Sequence, residues 1–287
     1  MPRLIVDHRT TYRYRRPVVF GPHRLMVRPR DGHDLRVVES ALTLSPPAEV
    51  RWSYDVFGNS IATAHYASPA TVLNVVSHLV LDRFPDPQPS REIADAARTY
   101  PFSYSDDDRT DLGALCRPQW TDPDRRLARW TADFVAGRPT DTLALLGDIN
   151  AGISAWVFYQ SRDDEGTQTP LETLDRGWGS CRDLAVLLME AVRHLGFGAR
   201  IVSGYHAGHI PGVPLGTPAA THAWVEIFVP GPGWIAFDPT NRTVGDADLL
   251  PIARARSIHQ VVPVAGSFTG VPNDFLGLDV AVTVRPG

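Results

Sequence analysis

Three side chains in this sequence could together break an acyl bond: Cys181, His222 and Asp238. An ionised thiol is a competent nucleophile, an imidazole can carry the proton, and a carboxylate can fix the imidazole's tautomer and steady its charge. Cys181 follows Gly177-Trp178-Gly179-Ser180 and precedes Arg182-Asp183. Ser180 stands where a helix N-cap belongs, with Asp183 three residues on as in a capping box. The thiol is therefore predicted at the first helical position, where unpaired N–H groups and the helix dipole favour an anion. There, a cationic partner can lower a thiol pKa from about 8.5 toward 7 or below. Taken alone, a cysteine at a helix start is more often a small buried side chain. The segments downstream change the odds.

Three elements must position these groups. From Leu184 the apolar residues Leu184, Leu187, Leu188, Ala191, Val192 and Leu195 repeat as on a helix that buries one face, and Gly196 offers the αL residue that ends it. Thr221 to Val229 is β-branched and aromatic and reads as a strand. Pro230-Gly231-Pro232-Gly233 reads as a turn, and Trp234 to Asp238 as the returning strand before Pro239. Pairing Val229 with Trp234 across a four-residue turn would set Asp238 opposite Val225 and point His222 to the other face. A register one residue tighter sets Asp238 opposite Trp224, diagonal to His222 and within side-chain reach. The triad thus requires an odd-length turn, or a bulge near Gly231 or Gly233.

Together with Gly166 to Pro170, Ala199 to Tyr205 and Phe237 to Asn241, the stretches Gly179 to Asp183 and His222 to Glu226 resemble the transglutaminase-like superfamily, which includes cysteine peptidases and amidases. Tyr12-Arg13-Tyr14, His23-Arg24-Leu25, Arg28-Pro29-Arg30 and Asp55-Val56-Phe57-Gly58-Asn59 are similar to the N-terminal region of its bacterial branch. The resemblance implies an α+β fold: a cysteine-proteinase-like core, its nucleophile helix packed on an antiparallel sheet carrying His and Asp, preceded by a β-rich, sandwich-like N-terminal domain. It implies Cys181, His222 and Asp238 as the catalytic residues and a peptide or protein amide as substrate, processed through a thioester. Bacterial members with this N-terminal region look more like hydrolases, so a peptidase or amidase is favoured over a protein-glutamine transglutaminase; a non-catalytic scaffold keeping the fold is the rival from another class. The Cys181 N–H is the natural first oxyanion donor, and Gln168, Trp178 and Trp224 are candidates for oxyanion or substrate contacts.

Composition narrows the chemistry further. All 28 basic residues are arginine, which excludes a Schiff base, a Walker-A lysine or a Ser–Lys dyad. A net charge of −4 gives no reason to expect a nucleic-acid partner. Cys116 and Cys181 are the only cysteines, too few for a disulfide framework and suited to a reducing compartment. No apolar run approaches the roughly 20 residues of a membrane span, and the start lacks an apolar signal core, so a cytoplasmic protein without membrane attachment is expected.

Residues 1–84 read as the β-rich domain, from short strand candidates at Arg3 to Val6, Arg9 to Tyr14, Leu25 to Val27, Val37 to Leu44, Val50 to Tyr54 and Thr71 to Val76. Phe84-Pro85-Asp86-Pro87-Gln88-Pro89 reads as a stiff link to a catalytic domain at 90–287, with a helical lead-in at 122–160 and a core at 166–287. The acidic stretch Ser105 to Asp108 lacks the ligand spacing of a calcium loop and reads as a solvated loop. Asp122-Pro123 should cap a helix lined by Leu127, Trp130 and Phe134, and Thr140 or Asp141 a second whose core face includes Leu145, Leu146, Ile149, Ile153, Ala155 and Trp156. Thr169-Pro170-Leu171-Glu172 opens a third, short helix. His206 and His209 with His222 are too weak a pattern for zinc, so neither a metal nor a cofactor is expected. The strand-like Leu278 to Val284 should close an edge of the sheet.

Overall fold

The computed structural model describes residues 3–84, 93–162, 166–207 and 221–287. The proline-rich link and most of the loop after His206, including His209, lie outside them. Alternation of apolar and polar side chains builds the N-terminal strands: β1 (Arg3–Phe20), β2 (His23–Leu25), β3 (Leu35–Ser45), β4 (Ala48–Tyr54), β5 (Ser60–Tyr66) and β6 (Ala70–Arg83). β6 buries every second side chain, and pairs antiparallel with β1 on one side and β3 on the other. β2, β5 and β4 form a second sheet, and Tyr14, Phe20, Leu25, Val27, Ala62, Ala64, Leu73 and Val75 fill the space between the two. The region is the expected sandwich, with β1 continuous where two short strands were expected. β5 escaped the sequence reading because the β-branched Ile61 and Thr63 alternate with alanines, which are depleted in strands.

α1 (Asp106–Leu112) precedes the lead-in, which holds α2 (Arg126–Ala132), α3 (Thr142–Trp156) and the short strand β7 (Phe158–Tyr159); α4 (Pro170–Arg176) and the short strand β8 (Trp178–Gly179) then open the core. Three expectations change here. The acidic stretch is no loop: Ser105 caps α1 by accepting the Asp108 N–H at 3.0 Å, and Asp106, Asp107 and Asp108 fill its first turn, where the dipole favours them. α2 starts later than the Asp122-Pro123 pair predicted, although Asp122 still accepts the Arg126 and Ala128 N–H groups at 2.7 and 3.0 Å. α3 buries Leu145, Leu146, Ile149 and Ile153, but Trp156 is 60% exposed rather than core.

α5 (Cys181–His194) then packs on an antiparallel sheet of β9 (Ala199–His206), β10 (His222–Val229), β11 (Gly233–Asp238) and β12 (Leu249–Ala255). Leu184, Leu187, Leu188, Ala191 and Val192 meet Ile201, Val225, Ile227, Ile235 and Phe237 in the largest core of the molecule. Gly196, at φ +91°, ends the helix as expected. The chain's last strand, β13 (Phe275–Pro286), pairs with β1 from Leu4 opposite Pro286 to Tyr14 opposite Phe275. It closes the N-terminal sheet, so the sandwich is built from both ends of the chain and is not confined to residues 1–84.

The sandwich also covers the exposed edge of the catalytic sheet. Asn59 at the Asp55–Asn59 turn donates from Nδ2 to the Arg254 carbonyl at 2.7 Å and accepts the Arg254 N–H at 2.8 Å, pairing with β12 where another strand would otherwise add. The Arg254 guanidinium reaches Glu226 of β10 at 2.9 Å, opposite Arg200 at 2.6 Å, so the strand that carries His222 is tied to its neighbours by charge as well as by its ladder.

Candidate active site

Cys181 opens α5 and is partly exposed. The helix start is held by Asp183, which is fully buried. Its carboxylate accepts the Ser180 N–H at 2.9 Å and the Ser180 hydroxyl at 2.8 Å on one oxygen, and the Gln168 N–H at 2.8 Å and Arg162 Nη2 at 3.0 Å on the other. Gly179 packs against this knot: a Cβ there would come within 2.9 Å of the Asp183 Cβ, so the residue permits a close approach and does more than shape a turn. Asp183→Ala removes the carboxylate and leaves Arg162 and two backbone N–H groups buried without it. We expect a loss of about 3–5 kcal/mol in urea unfolding; a loss under about 1 kcal/mol would mean the loop simply rearranges.

β10 and β11 pair in the tighter register, Val229 opposite Gly233 and Val225 opposite Phe237, around the three-residue turn Pro230-Gly231-Pro232. This carries Asp238 to the level of Trp224 and diagonal to His222, as the triad requires. His222 Nε2 lies 2.7 Å from Asp238 Oδ2. The other ring nitrogen is left for Cys181, whose charge acts on the ring. The sulfur itself sits 4.0 Å from the Thr221 carbonyl. Asp238 is completely buried and meets only donors besides His222: the Thr240 and Asn241 N–H groups at 2.9 and 3.3 Å on Oδ1, and Asn241 Nδ2 at 2.7 Å on Oδ2.

Electrostatics agree with the geometry. Burial pushes the Cys181 thiol up, but the hydrogen bond and charge of His222, the Ala223 N–H and the Arg182 guanidinium outweigh it and hold the thiol below its ordinary value. Burial pushes His222 down, yet its bonds to Asp238 and Cys181 carry it up to about 10. Burial likewise raises Asp238, and the bonds from His222 and Asn241 more than reverse that. All three shifts favour the same charge state: thiolate, imidazolium, carboxylate. Such a trio can attack a carbonyl carbon and hand a proton to a leaving nitrogen.

Comparison with known proteins fits this arrangement. Residues 129–239 match the model of the transglutaminase-like superfamily, and residues 4–82 that of the bacterial transglutaminase-like N-terminal region. Uncharacterised proteins of Mycobacterium tuberculosis and Mycobacterium bovis are each 31% identical over 301 residues, spanning 99% of this chain and 93% of the relative. The chain belongs to the transglutaminase-like superfamily. A crystal structure from Cytophaga hutchinsonii, provisionally assigned as a cysteine protease, shares the fold with a TM-score of 0.74 at 18% identity, covering 99% of this chain and 90% of the other. The transglutaminase-like model spans the cysteine helix and the strands of His222 and Asp238, so the matched segment and the site coincide.

The remaining candidates fall in different places around this transglutaminase-like core. Gln168 is 3% exposed, and neither polar atom of its side-chain amide has a partner among the described residues. Trp178 is half-buried under the Arg176 guanidinium, 5.6 Å from its ring centroid. Trp224 is 1% exposed and stacks on His222 with ring centroids 6.0 Å apart, so it backs the imidazole. Gly204 makes room for it, since a Cβ there would lie 2.7 Å from the indole and 2.1 Å from the Leu250 carbonyl. Sequence reasoning missed Arg162 and the Asp238 contacts to Thr240 and Asn241. The latter had a signal, because an aspartate accepting the N–H two residues on is the Asx-turn that Asp-Pro-Thr-Asn favours. Among the described residues no helix is long and apolar enough to cross a membrane.

Proposed function

We propose that this chain is a cysteine-dependent acyl-transfer enzyme that cleaves amide or peptide bonds through a thioester on Cys181, with water as the acceptor. The observation that carries the reading is His222, bonded through Nε2 to a buried carboxylate at 2.7 Å and coupled electrostatically to the Cys181 sulfur. The Cys181 thiolate adds to the carbonyl carbon. The oxyanion is met by the Cys181 N–H, which has no helical partner because the residue opens α5, and by the Gln168 amide as the second donor. As the tetrahedral carbon collapses, the C–N bond breaks and His222 gives its proton to the leaving nitrogen. Water then loses a proton to His222, its oxygen bonds to the acyl carbon, and the C–S bond breaks to return the thiolate. Asp238 holds the ring in place throughout. Two free thiols in the chain favour the cytoplasm as its compartment.

A peptide and glutamine-amide library, incubated with and without a primary amine and read by mass spectrometry, tests the reaction. Paired cleavage fragments, unchanged by the amine, are expected; amine adducts on glutamine in place of cleavage would make it a transglutaminase. Iodoacetamide at neutral pH tests the scaffold reading. Cys181 should be alkylated well before Cys116, whose thiol burial pushes up; equal, slow labelling of both would mean an unactivated sulfur.

A further inference from the structure

The aromatic residues between α3 and the nucleophile are the least buried of their kind near the site: Trp156 is 60% exposed, Phe158 79% and Tyr159 55%. α3 ends at Trp156, so solubility alone would favour polar residues there. They instead precede and form β7, which runs parallel to β8 with Phe158 opposite Trp178 and Tyr159 opposite Gly179, two residues ahead of Cys181. The Phe158 N–H donates to the Gly177 carbonyl at 2.8 Å, and the Gln160 N–H to the Gly179 carbonyl at 2.9 Å. Because neighbouring residues of a strand point their backbone groups to opposite edges, the N–H and C=O of Tyr159 face away from β8. β7 has no other partner strand among the described residues. The edge unpaired among the described residues thus lies on the side of β7 away from β8, about one strand spacing further from the residues that lead into the sulfur. The Tyr159 hydroxyl is pushed up by burial and by the Cys181 charge, so the ring lies within the electrostatic reach of the sulfur.

We infer that β7 is the substrate-binding edge: an extended peptide adds to it as a third strand through the Tyr159 backbone, with large apolar or aromatic side chains near the scissile bond packing on Phe158 and Tyr159. Alternation makes the fit specific. Phe158 and Tyr159 project from opposite faces of the β7–β8 ribbon, so successive side chains of the added strand meet an aromatic ring on either face. Strand addition of this kind takes its affinity from main-chain hydrogen bonds and its selectivity from alternate side chains. The inference rests on the acyl-transfer reading for why a peptide held on this edge would be presented to Cys181, and deepens it by naming the substrate class.

The test separates the two. Full-length protein carrying Cys181→Ala is titrated calorimetrically with blocked hexapeptides that differ at one central residue, Phe or Leu against Ser or Asp. The apolar peptides should bind about tenfold tighter or more, as burial of one large side chain allows, and Phe158→Ala should cut that preference to within about twofold to threefold. A scan of single backbone N-methyl groups along the Phe peptide should find a position where affinity drops about tenfold, where a main-chain bond is lost. Iodoacetamide labelling of the Cys181 form of Phe158→Ala checks that the nucleophile is still assembled. Equal affinity across the peptides, a preference that survives Phe158→Ala, or an N-methyl scan without a sensitive position would overturn the inference. If binding behaves as expected but the natural protein cleaves none of the peptides, the edge stands and the acyl-transfer reading falls.

Discussion

Replacing Asp238 with asparagine is expected to lower kcat for amide cleavage by about 10³–10⁴-fold, although the new side chain has the same shape. The reason lies in what surrounds the carboxylate. Oδ1 accepts two backbone N–H groups, from Thr240 and Asn241, and neither can turn away. The asparagine must therefore leave its oxygen at that position and place its NH2 group toward His222 and the Asn241 amide. Asn241 can flip to offer its oxygen, but His222 Nε2 can meet a donor only by giving up its proton. That forces the remaining proton onto the nitrogen facing sulfur and removes the partner that holds the imidazolium, so the thiolate loses its counter-ion as well. Where such an orienting residue is met by side chains free to rotate, an asparagine can present its oxygen to the ring and the substitution is mild. Here the backbone fixes the outcome. Nitrogen-15 spectra of the imidazole should show a neutral ring protonated on the sulfur side at pH 7; a kcat loss below about tenfold, with Nε2 still protonated, would show that the amide had turned and that the argument from the two N–H groups fails.

That degree of detail was partly open to the sequence, because the site is built from local devices. The capping residues around Cys181, the Thr169-Pro170 helix start and the hairpin register all depend on residues within about ten positions of one another. Face alternation called for an odd-length turn or a bulge between His222 and Asp238, and the three-residue turn Pro230-Gly231-Pro232 is the one found. What the sequence concealed is non-local. Leu278 to Val284 announces a strand but not its neighbour, and only the fold reveals that β1 takes it up, returning the end of the chain to its beginning. Trp156 fits a helical apolar face by spacing, yet α3 ends there, where the chain turns into β7 and the core no longer reaches. Asp183 offered the same ambiguity in reverse. It reads as a helix cap, which it is, but its other oxygen also anchors Arg162 and the Gln168 backbone, contacts that no spacing in the sequence announces. The devices that hold the nucleophile are thus legible, while those that set the approach to it are tertiary.

His222→Ala separates the two duties of the imidazole, because sulfur ionisation and leaving-group protonation respond differently. In the natural protein burial raises the Cys181 thiol and His222 overcomes it. Without the ring, burial acts unopposed except for the Ala223 N–H and Arg182, and the thiol should rise past its ordinary value of 9.0. At pH 7 a thiol of that kind is ionised to no more than about a few per cent, so thiolate is scarcer than in the natural protein. The rarer thiolate is also the more basic and more nucleophilic one, with a Brønsted slope of about 0.4–0.5, which returns part of that loss. Alkylation by iodoacetamide, which needs no proton donor, should therefore slow only about tenfold at pH 7, and its acid limb should move to higher pH. Amide cleavage needs the proton as well, and a positioned acid contributes about 10²–10⁴-fold, so kcat should fall by about 10⁴-fold or more. The direction in pH follows from the same shifts. Natural-enzyme activity should rise as Cys181 ionises below 9.0 and fall again near pH 10, where His222 loses the proton it must donate; the variant should keep no such alkaline limb. Coincident alkylation profiles for the two proteins would mean that His222 does not control the sulfur, and an equal loss in alkylation and cleavage would mean that it controls nothing else.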